Sequence, residues 1–349
     1  MSRGNTRPTV PERSPARPGG RSEDRSGGSP GRRRRGPGIA TAVVLAMAFF
    51  ALTLAALLRF FVADRLLVAP ADAYSRARLT APNATYFDRQ ALKPRTGATL
   101  TLTTTVRGDV RASRGEVVVW DSFTVLEDLE TGTQLDISQH RMAFDRRTAG
   151  LVDCCGTTAK PPAGQRAYGL FFPIGVDKRT YPVYDPATGR AWPMRYEATE
   201  TVGGLRVYRY TQRIEETRLG EQPGGVPSTL LGLPGPARSV PADRYHRGTV
   251  TAWLDPRTGM LVDRRQQITT TVRARDGRGE MVAAEFDLRM APETRRALVA
   301  RADETARSVT MVRVVAPSAA LVAGLVLLGS GAALLVRDRR RAALADDPF

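Results

Sequence analysis

Lysine, histidine and cysteine are close to absent from this 349-residue chain: Lys93, Lys160 and Lys178 are its lysines, His140 and His246 its histidines, Cys154 and Cys155 its cysteines. Neither histidine has a nearby Cys, Asp or Glu at zinc-like spacing, which removes the usual sequence signature of a metal site. A glycine-rich phosphate loop and a Gly-x-Ser-x-Gly nucleophile elbow are missing too. Carboxylates are plentiful, yet nothing in the sequence converges two of them as glycoside hydrolysis requires. We therefore assign no catalytic residue, metal or cofactor and read the chain as non-enzymatic. The scarcity of lysine, against 52 Lys and Arg together, reflects a GC-rich genome and carries little mechanism.

What is present are two long apolar runs. Ile39 to Leu58 and Val314 to Val336 carry no charge, and each is long enough to cross a hydrocarbon core of about 30 Å as a helix. The first follows a 38-residue tail and lacks a small-x-small cleavage site of the usual kind shortly after its apolar run, so it is expected to stay attached rather than act as a signal peptide. Arg32, Arg33, Arg34 and Arg35 precede the first run, and Arg337, Arg339, Arg340 and Arg341 follow the second. Cationic flanks are retained on the cytoplasmic side, which predicts a two-pass plasma-membrane protein with both termini inside. Arg59 and Arg313 sit at the outer ends, where their stems can reach the headgroups.

The net charge of +17 is concentrated. Residues 1–38 hold ten arginines against Glu12, Glu23 and Asp24, with Pro, Gly and Ser filling most of the rest. Such a segment cannot bury a core and is expected to be disordered and drawn to anionic lipid headgroups. It carries no folded recognition motif or interleaved aromatic residue, which argues against nucleic acid as a partner.

The stretch between the runs reads as mainly β. Thr99 to Val106, Glu116 to Leu126, Thr133 to Phe144, Leu205 to Ile214, Thr249 to Leu254, Leu261 to Ala274 and Glu280 to Met290 are rich in Val, Thr, Tyr and Phe and alternate in character. In the second of these, Val117, Val119, Phe123 and Val125 are expected on a buried face broken only by Asp121. Arg206, Arg209, Arg264 and Arg265 are expected to point outward into water. Turn sequences recur as Lys93-Pro94-Arg95-Thr96-Gly97, Asp185-Pro186-Ala187-Thr188-Gly189 and Asp255-Pro256-Arg257-Thr258-Gly259, with looser versions at Asp145 to Gly150 and Glu130 to Gly132. Asp accepts from nearby backbone N–H groups, Pro presets the turn and Gly takes the left-handed conformation. Hairpins are favoured over metal loops, because single Asp residues in separated turns lack calcium-loop spacing.

Pro292 can open a helix over Glu293 to Val312, with Pro317 kinking the join to the second apolar run. The first span is expected to extend through Phe60, Phe61, Leu66 and Leu67 until Pro70 stops it, giving two helical stalks under a β domain. The fold class is thus a mainly β, antiparallel, hairpin-rich ectodomain flanked by N- and C-terminal transmembrane helices. Its plan is a disordered basic cytoplasmic tail (1–38), a transmembrane helix (39–62), an extracytoplasmic β domain (63–291), a juxtamembrane helix (292–313), a transmembrane helix (314–336) and a cytoplasmic tail (337–349).

Cys154 and Cys155 are adjacent, and an oxidising setting outside the membrane favours a vicinal disulfide between them. It would make a rigid turn before Gly156; a redox or ligand-contact role and pairing with another chain are the alternatives.

Several segments together resemble one family. They are Leu79-Thr80-Ala81-Pro82 with Ala84-Thr85-Tyr86-Phe87-Asp88, Val106-Arg107-Gly108-Asp109-Val110, Phe144-Asp145-Arg146-Arg147-Thr148, Cys154-Cys155-Gly156, Pro193-Met194-Arg195-Tyr196 and Leu230-Leu231-Gly232-Leu233-Pro234-Gly235. The chain is similar to the actinobacterial porin PorA family of two-span envelope proteins, long carried as a domain of unknown function. The likeness runs nearly from the first span to the second, with residues 1–38 an extension. It implies a membrane location and an external domain, and supplies no catalytic residues.

A simple outer-membrane barrel does not fit, because such barrels lack long apolar helices and face lipid with apolar strand residues. Neither span carries a polar stripe, so a channel would need several copies. The reading favoured by the sequence is an envelope protein whose β domain binds, transfers or scaffolds an envelope lipid or glycolipid. The alternatives are an oligomeric channel and a scaffold for membrane-protein partners. Leu230 to Pro234 reads as a lip on a groove or as an ordinary packed loop.

Overall fold

A computed structural model of the chain describes residues 38–62, 65, 68–160 and 164–345. Expectations for the tail, including Arg32 to Arg35, and for Leu66 and Leu67 lie outside the described residues. Helix α1 (Ile39–Leu57) passes into a π-helical turn (Leu58–Val62). At the other end, α2 (Pro292–Thr310) runs through a π-helical turn (Met311–Val315) into α3 (Ala316–Ala345). Ile39–Val62 and Pro292–Arg341 are each long and apolar enough to cross a membrane. The helix does not break at Pro317. The wide turn just before it is a form of backbone adjustment that absorbs the missing N–H of a proline and the crowding of its ring.

Helices α1 and α3 lie against each other along a seam of small residues. Thr41, Ala48 and Ala55 are the buried positions of α1, and Pro317, Gly324 and Gly331 those of α3. Both sets repeat every seven residues, the period that keeps one stripe facing a partner helix. Apolar burial drives nothing in lipid, so such a pair depends on close approach of small residues. A Cβ at Gly324 would stand 2.8 Å from Leu52 Cδ2 and 3.1 Å from the Leu52 backbone nitrogen, and one at Gly331 would stand 2.9 Å from Leu45 Cγ. At one end Asp338 accepts from the Thr41 hydroxyl (2.7 Å) and the Gly38 N–H (3.2 Å). At the other, Arg59 donates to the Arg313 carbonyl (3.4 Å).

Between the helices lie β1 (Tyr74–Asp88), β2 (Lys93–Gly108), β3 (Val117–Asp128), β4 (Gln134–Asp145), β5 (Tyr181–Asp185), β6 (Arg190–Val202), β7 (Leu205–Glu221), β8 (Val226–Pro227), β9 (Ser239–Val240), β10 (Ala242–Leu254), β11 (Leu261–Ala274) and β12 (Glu280–Met290). Ten form one antiparallel sheet in the order β4-β3-β2-β1-β12-β11-β10-β7-β6-β5, and β8 pairs with β9. The mainly β, antiparallel expectation holds, with the apolar helices at the two ends.

The edge strands β4 and β5 are linked by the segment between them. Val152 donates to Ala143 and Leu151 to Ala167, then Tyr168 donates to Pro182 and Tyr184 to Tyr168, each at 2.8 Å. These isolated bridges curl the sheet back on itself and give it an inner face. Leu79, Leu100, Leu126 and Leu288 fill one part of that face, and Tyr181, Tyr210, Val250 and Leu254 another. At the end away from the helices, Val226, Leu231 and Val240 cover Ala242, Val272 and Ala274. Leu230 to Pro234 is therefore a packed loop around Leu231 rather than an open lip.

Several expectations are corrected. Lys93 to Gly97 lies inside β2; the turn comes earlier, where Asp88 accepts from the N–H groups of Gln90 (2.8 Å) and Ala91 (3.0 Å). In β3 Val118, Trp120, Ser122 and Leu126 are buried on the inner face, and Val119 is buried as expected beside the Asp109 to Ser113 turn that bonds its backbone, while Phe123 is 46% exposed. Asp121 belongs with the outer set because it pairs there with Arg141 at 3.1 Å. Arg264 and Arg265 cannot both point outward, since neighbours in a strand face opposite ways. Arg265 does, pairing with Asp287 at 2.7 Å, whereas Arg264 stands opposite Ala252 on the inner face. Finally, α2 is no free stalk: its Ala302 is buried with Val207 and Val262 at the sheet's rim, and Arg295 reaches Asp263 at 3.3 Å.

Replacing Gly324 by leucine is expected to push the seam apart and destabilise the protein by about 2 kcal/mol, the scale of an overpacked core. Unfolding in detergent measures it; an unchanged midpoint would exclude this helix register.

Candidate functional site

The inner face is built from three strands in register. Rows across β7, β10 and β11 read Tyr210–Ala252–Arg264, Gln212–Val250–Gln266, Ile214–Gly248–Ile268 and Thr217–His246–Thr270, with Arg244 beside Val272 beyond them. Ala252 and Gly248 keep the middle of β10 low between larger neighbours, and Ile268 fills the space over Gly248.

Beside these rows runs a chain of aromatic rings. Phe172 contacts Tyr181 at 5.7 Å between centroids, Tyr181 contacts Tyr210 at 5.9 Å, Tyr210 contacts Tyr196 at 5.8 Å and Tyr196 contacts Tyr208 at 5.5 Å, all edge to face. The Lys178 ammonium stands 5.3 Å from both the Tyr196 and Tyr208 rings, and the Arg179 guanidinium 4.8 Å from Tyr181. These cations are exposed at the rim and leave the ring faces within reach of a cationic edge. Burial pushes the Tyr210 phenol up, and its hydroxyl donates to the Asp177 carbonyl. The Thr199 hydroxyl beside Tyr196 pulls that phenol down, with Lys178 adding to it.

The polar groups of the same face are short of partners. Gln212 is satisfied in part, donating to the Val183 carbonyl at 2.7 Å. The Nε atoms of Arg244 and Arg264 and the Nε2 atom of His246 are enclosed without a hydrogen-bond partner. His246 keeps only a long contact from Nδ1 to the Thr270 hydroxyl, 3.4 Å. Burial lowers the affinity of the His246 ring for its proton, opposed by the carboxylate of Asp185. That carboxylate is itself held by the N–H (2.9 Å) and hydroxyl (2.7 Å) of Thr188. Burial acts in the same direction on Arg264, again opposed by Asp185.

Neither Arg264 nor Arg244 was singled out as a site residue by sequence. Counting alternate positions back from Val272 through Thr270, Ile268 and Gln266 arrives at Arg264, so the signal was present. Residue type conceals it, because an arginine on a strand ordinarily faces water.

Cys154 and Cys155 lie elsewhere, on the outside of the sheet near β4. The structure pairs their sulfur atoms, and Cys155 takes a left-handed backbone, φ 58°, just before Gly156. The Cys155 carbonyl accepts from Arg141 Nε at 3.1 Å, and the same guanidinium binds Asp121 and Asp109. That contact holds the Asp109 carboxyl well below the usual range. Arg337, Arg339, Arg340 and Arg341 stand at the end of α3, with Asp338 among them turned to Thr41. His140 faces Ser122 on the edge strand. Among the described residues no group of three or more His, Cys, Asp or Glu could hold a metal ion. The two clearest surface depressions, one at Arg107 to Arg111 and one at Asn83, Thr85 and Glu285, are shallow and include none of the unpaired groups.

The family model described as Porin PorA matches residues 40–333. A curated relative, "Porin PorA" of Corynebacterium amycolatum, is 24% identical over 180 residues, which covers 42% of this chain and 46% of the relative. The chain thus spans less than half the length of that relative.

Replacing Arg141 by alanine removes the shared partner of Asp109, Asp121 and the Cys155 carbonyl and is expected to cost about 1 kcal/mol in a denaturant titration; no change would show that the cluster carries no stability. His246 predicts a pH effect. Its ordinary value is 6.5 and the folded value is lower, so the unfolded chain binds more protons as pH falls through 6.5, and stability present above that pH is lost below it. His246→Asn should therefore flatten the fall in melting temperature between neutral and mildly acidic pH. An equally steep fall in the variant would mean that the ring titrates freely in the folded protein.

Proposed function

The chain belongs to the Porin PorA family, and from that premise we propose that it is a non-enzymatic envelope membrane protein whose curled β domain binds an amphiphile, a lipid or glycolipid, on its inner face. The observation that carries this reading is the composition of that face. An aromatic chain and apolar rows lie directly beside polar groups without partners, which is the mixed lining of a site for a molecule with an apolar body and a polar end. The domain is also tied at both ends to helices that suit a bilayer, so a bound lipid would have a short path from membrane to sheet. The seam between β4 and β5, held by single bridges rather than a ladder, offers the easiest place for such a molecule to enter.

We place both termini in the cytoplasm and the β domain outside. Arg337, Arg339, Arg340 and Arg341 beyond the second span support this under the positive-inside rule, and a paired Cys154 and Cys155 suits an oxidising exterior. Protease added to intact cells is expected to cut between residues 74 and 290 and to spare the C-terminal tail.

A channel is the second reading, favoured by the family's description. The outward surfaces of the helices weigh against a pore along them, since Val43, Phe50, Leu325 and Val326 are exposed and apolar.

The test is a photoactivatable acyl lipid in vesicles holding the full-length protein, with labelled peptides mapped by mass spectrometry. Label in β6, β7 and β10 is expected. Label confined to α1 and α3 would overturn the amphiphile reading, and unitary currents from the same vesicles in a planar bilayer would turn it toward a channel.

A further inference from the structure

The outward arginines of the sheet are either paired or, like Arg206, Arg213 and Arg247, exposed to water. Arg265 reaches Asp287 at 2.7 Å, Arg273 reaches Glu216 at 3.1 Å and Glu280 at 3.0 Å, and Arg218 reaches Asp243 at 2.8 Å. Arg244 and Arg264 on the inner face are not paired, and in each the Nε atom is sealed from solvent and makes no hydrogen bond. His246, 5% exposed, also leaves its Nε2 atom without a partner. Both arginine side chains are only part-exposed, and enclosing a charged donor without a partner is unfavourable; the Nε atom of Arg209 is enclosed too, but its other nitrogens pair with Glu197 and Glu200. Asp185, the carboxylate that acts on Arg264 and His246, already accepts two hydrogen bonds from Thr188 on one of its oxygens.

We propose that these groups hold the phosphate-bearing headgroup of the bound amphiphile, with Arg264 and Arg244 taking its oxyanions and His246 standing between them. The inference rests on the amphiphile reading above and adds the chemistry of the polar end. The planar guanidinium fork suits phosphate oxygens better than any other side chain. Spacing narrows the class further. Arg264 is level with Ala252, eight residues from Arg244 along β10, or about 26 Å at roughly 3.3 Å per residue. A single small anion cannot touch both ends, whereas an extended headgroup can. The Tyr196 and Tyr208 rings lie next to the Arg264 end and present flat apolar faces to any uncharged portion, such as a sugar.

The experiment uses the full-length protein, delipidated in detergent and offered phosphatidylglycerol or diacylglycerol at equal mole fraction, with retained lipid counted by native mass spectrometry. Phosphatidylglycerol is expected to be retained on the order of tenfold more, the scale of one charge-assisted contact, and Arg264→Gln or Arg244→Gln to abolish the preference without changing diacylglycerol. Delipidated Arg264→Gln is also expected to melt at a higher temperature than the parent, because it no longer buries an unpaired charge. A purely structural arginine would give the opposite shift. Equal retention of the two lipids, with acyl label still on the inner face, would overturn the headgroup assignment and leave the amphiphile reading standing. Retention of neither lipid would overturn that reading itself. Stabilisation of the parent by inorganic phosphate alone, lost in Arg264→Gln, would replace the headgroup by a free oxyanion.

Discussion

The first and last strands of the sheet pair with each other, and most of the architecture depends on it. Leu79 stands opposite Met290 and Thr80 opposite Arg289, so the two chain ends leave the sheet side by side. Helices α1 and α3 are thereby delivered to one place and can form their seam of Ala48, Ala55, Gly324 and Gly331. The same pairing puts β1 and β12 in the middle of the strand order and sends β4 and β5 to its edges. The residues between those edges then have to cover two open strands. The sequential hairpins of the chain thus produce a curled sheet with one seam instead of an open one with two bare edges, the liability that sheets must manage.

Charge is distributed to match. Outside, several basic residues meet acidic ones on neighbouring strands, as in Arg273 between Glu216 and Glu280, and others stand in water. Inside, apolar and aromatic groups dominate, and among the few polar ones Arg244, Arg264 and His246 each leave a nitrogen without a partner. A β domain kept only as a spacer has no use for Arg264 in that position, because leucine there would be simpler and more stable. The cost of the unpaired guanidinium is the physical reason for reading the inner face as a site.

Much of this plan was legible in the chain. Charge-free runs identify the helices, and the alternation of Val, Thr and Tyr identifies seven strands. The turns Asp185 to Gly189 and Asp255 to Gly259 do close hairpins, because the aspartate accepts from the turn's own N–H groups. What was missed has definite causes. Pro82 and Asn83 make the middle of β1 look like a turn, yet they form an irregularity, with Asn83 at φ 57°, that the strand carries through. Strands β5 and β6 are broken up by Pro182 and Pro193, which face each other in register near the sheet's edge, where a missing donor is tolerated. The buried side of β3 was misassigned because Asp121 sits among valines. Its neighbour across the strand, Arg141, is invisible to local pattern, and only the ladder shows which face is wet. The inner site needed the same long-range information.

The long C-terminal helix has a mechanical consequence. From Pro292 to Arg341 it is one continuous rod of 50 residues, about 75 Å at roughly 1.5 Å per residue. Its upper part is clamped to the sheet by Ala302 and Arg295, and its lower part is keyed to α1 by two glycines. A rod fixed at both ends works as an axle without a bearing: the domain cannot spin above the bilayer on a slack tether. Its bearing relative to the two helices is set, so the seam between β4 and β5 always addresses the same sector of the surrounding lipid. Any tilt of the helix pair, from a change in bilayer thickness or from a neighbouring protein, is carried as torque to the rim of the sheet.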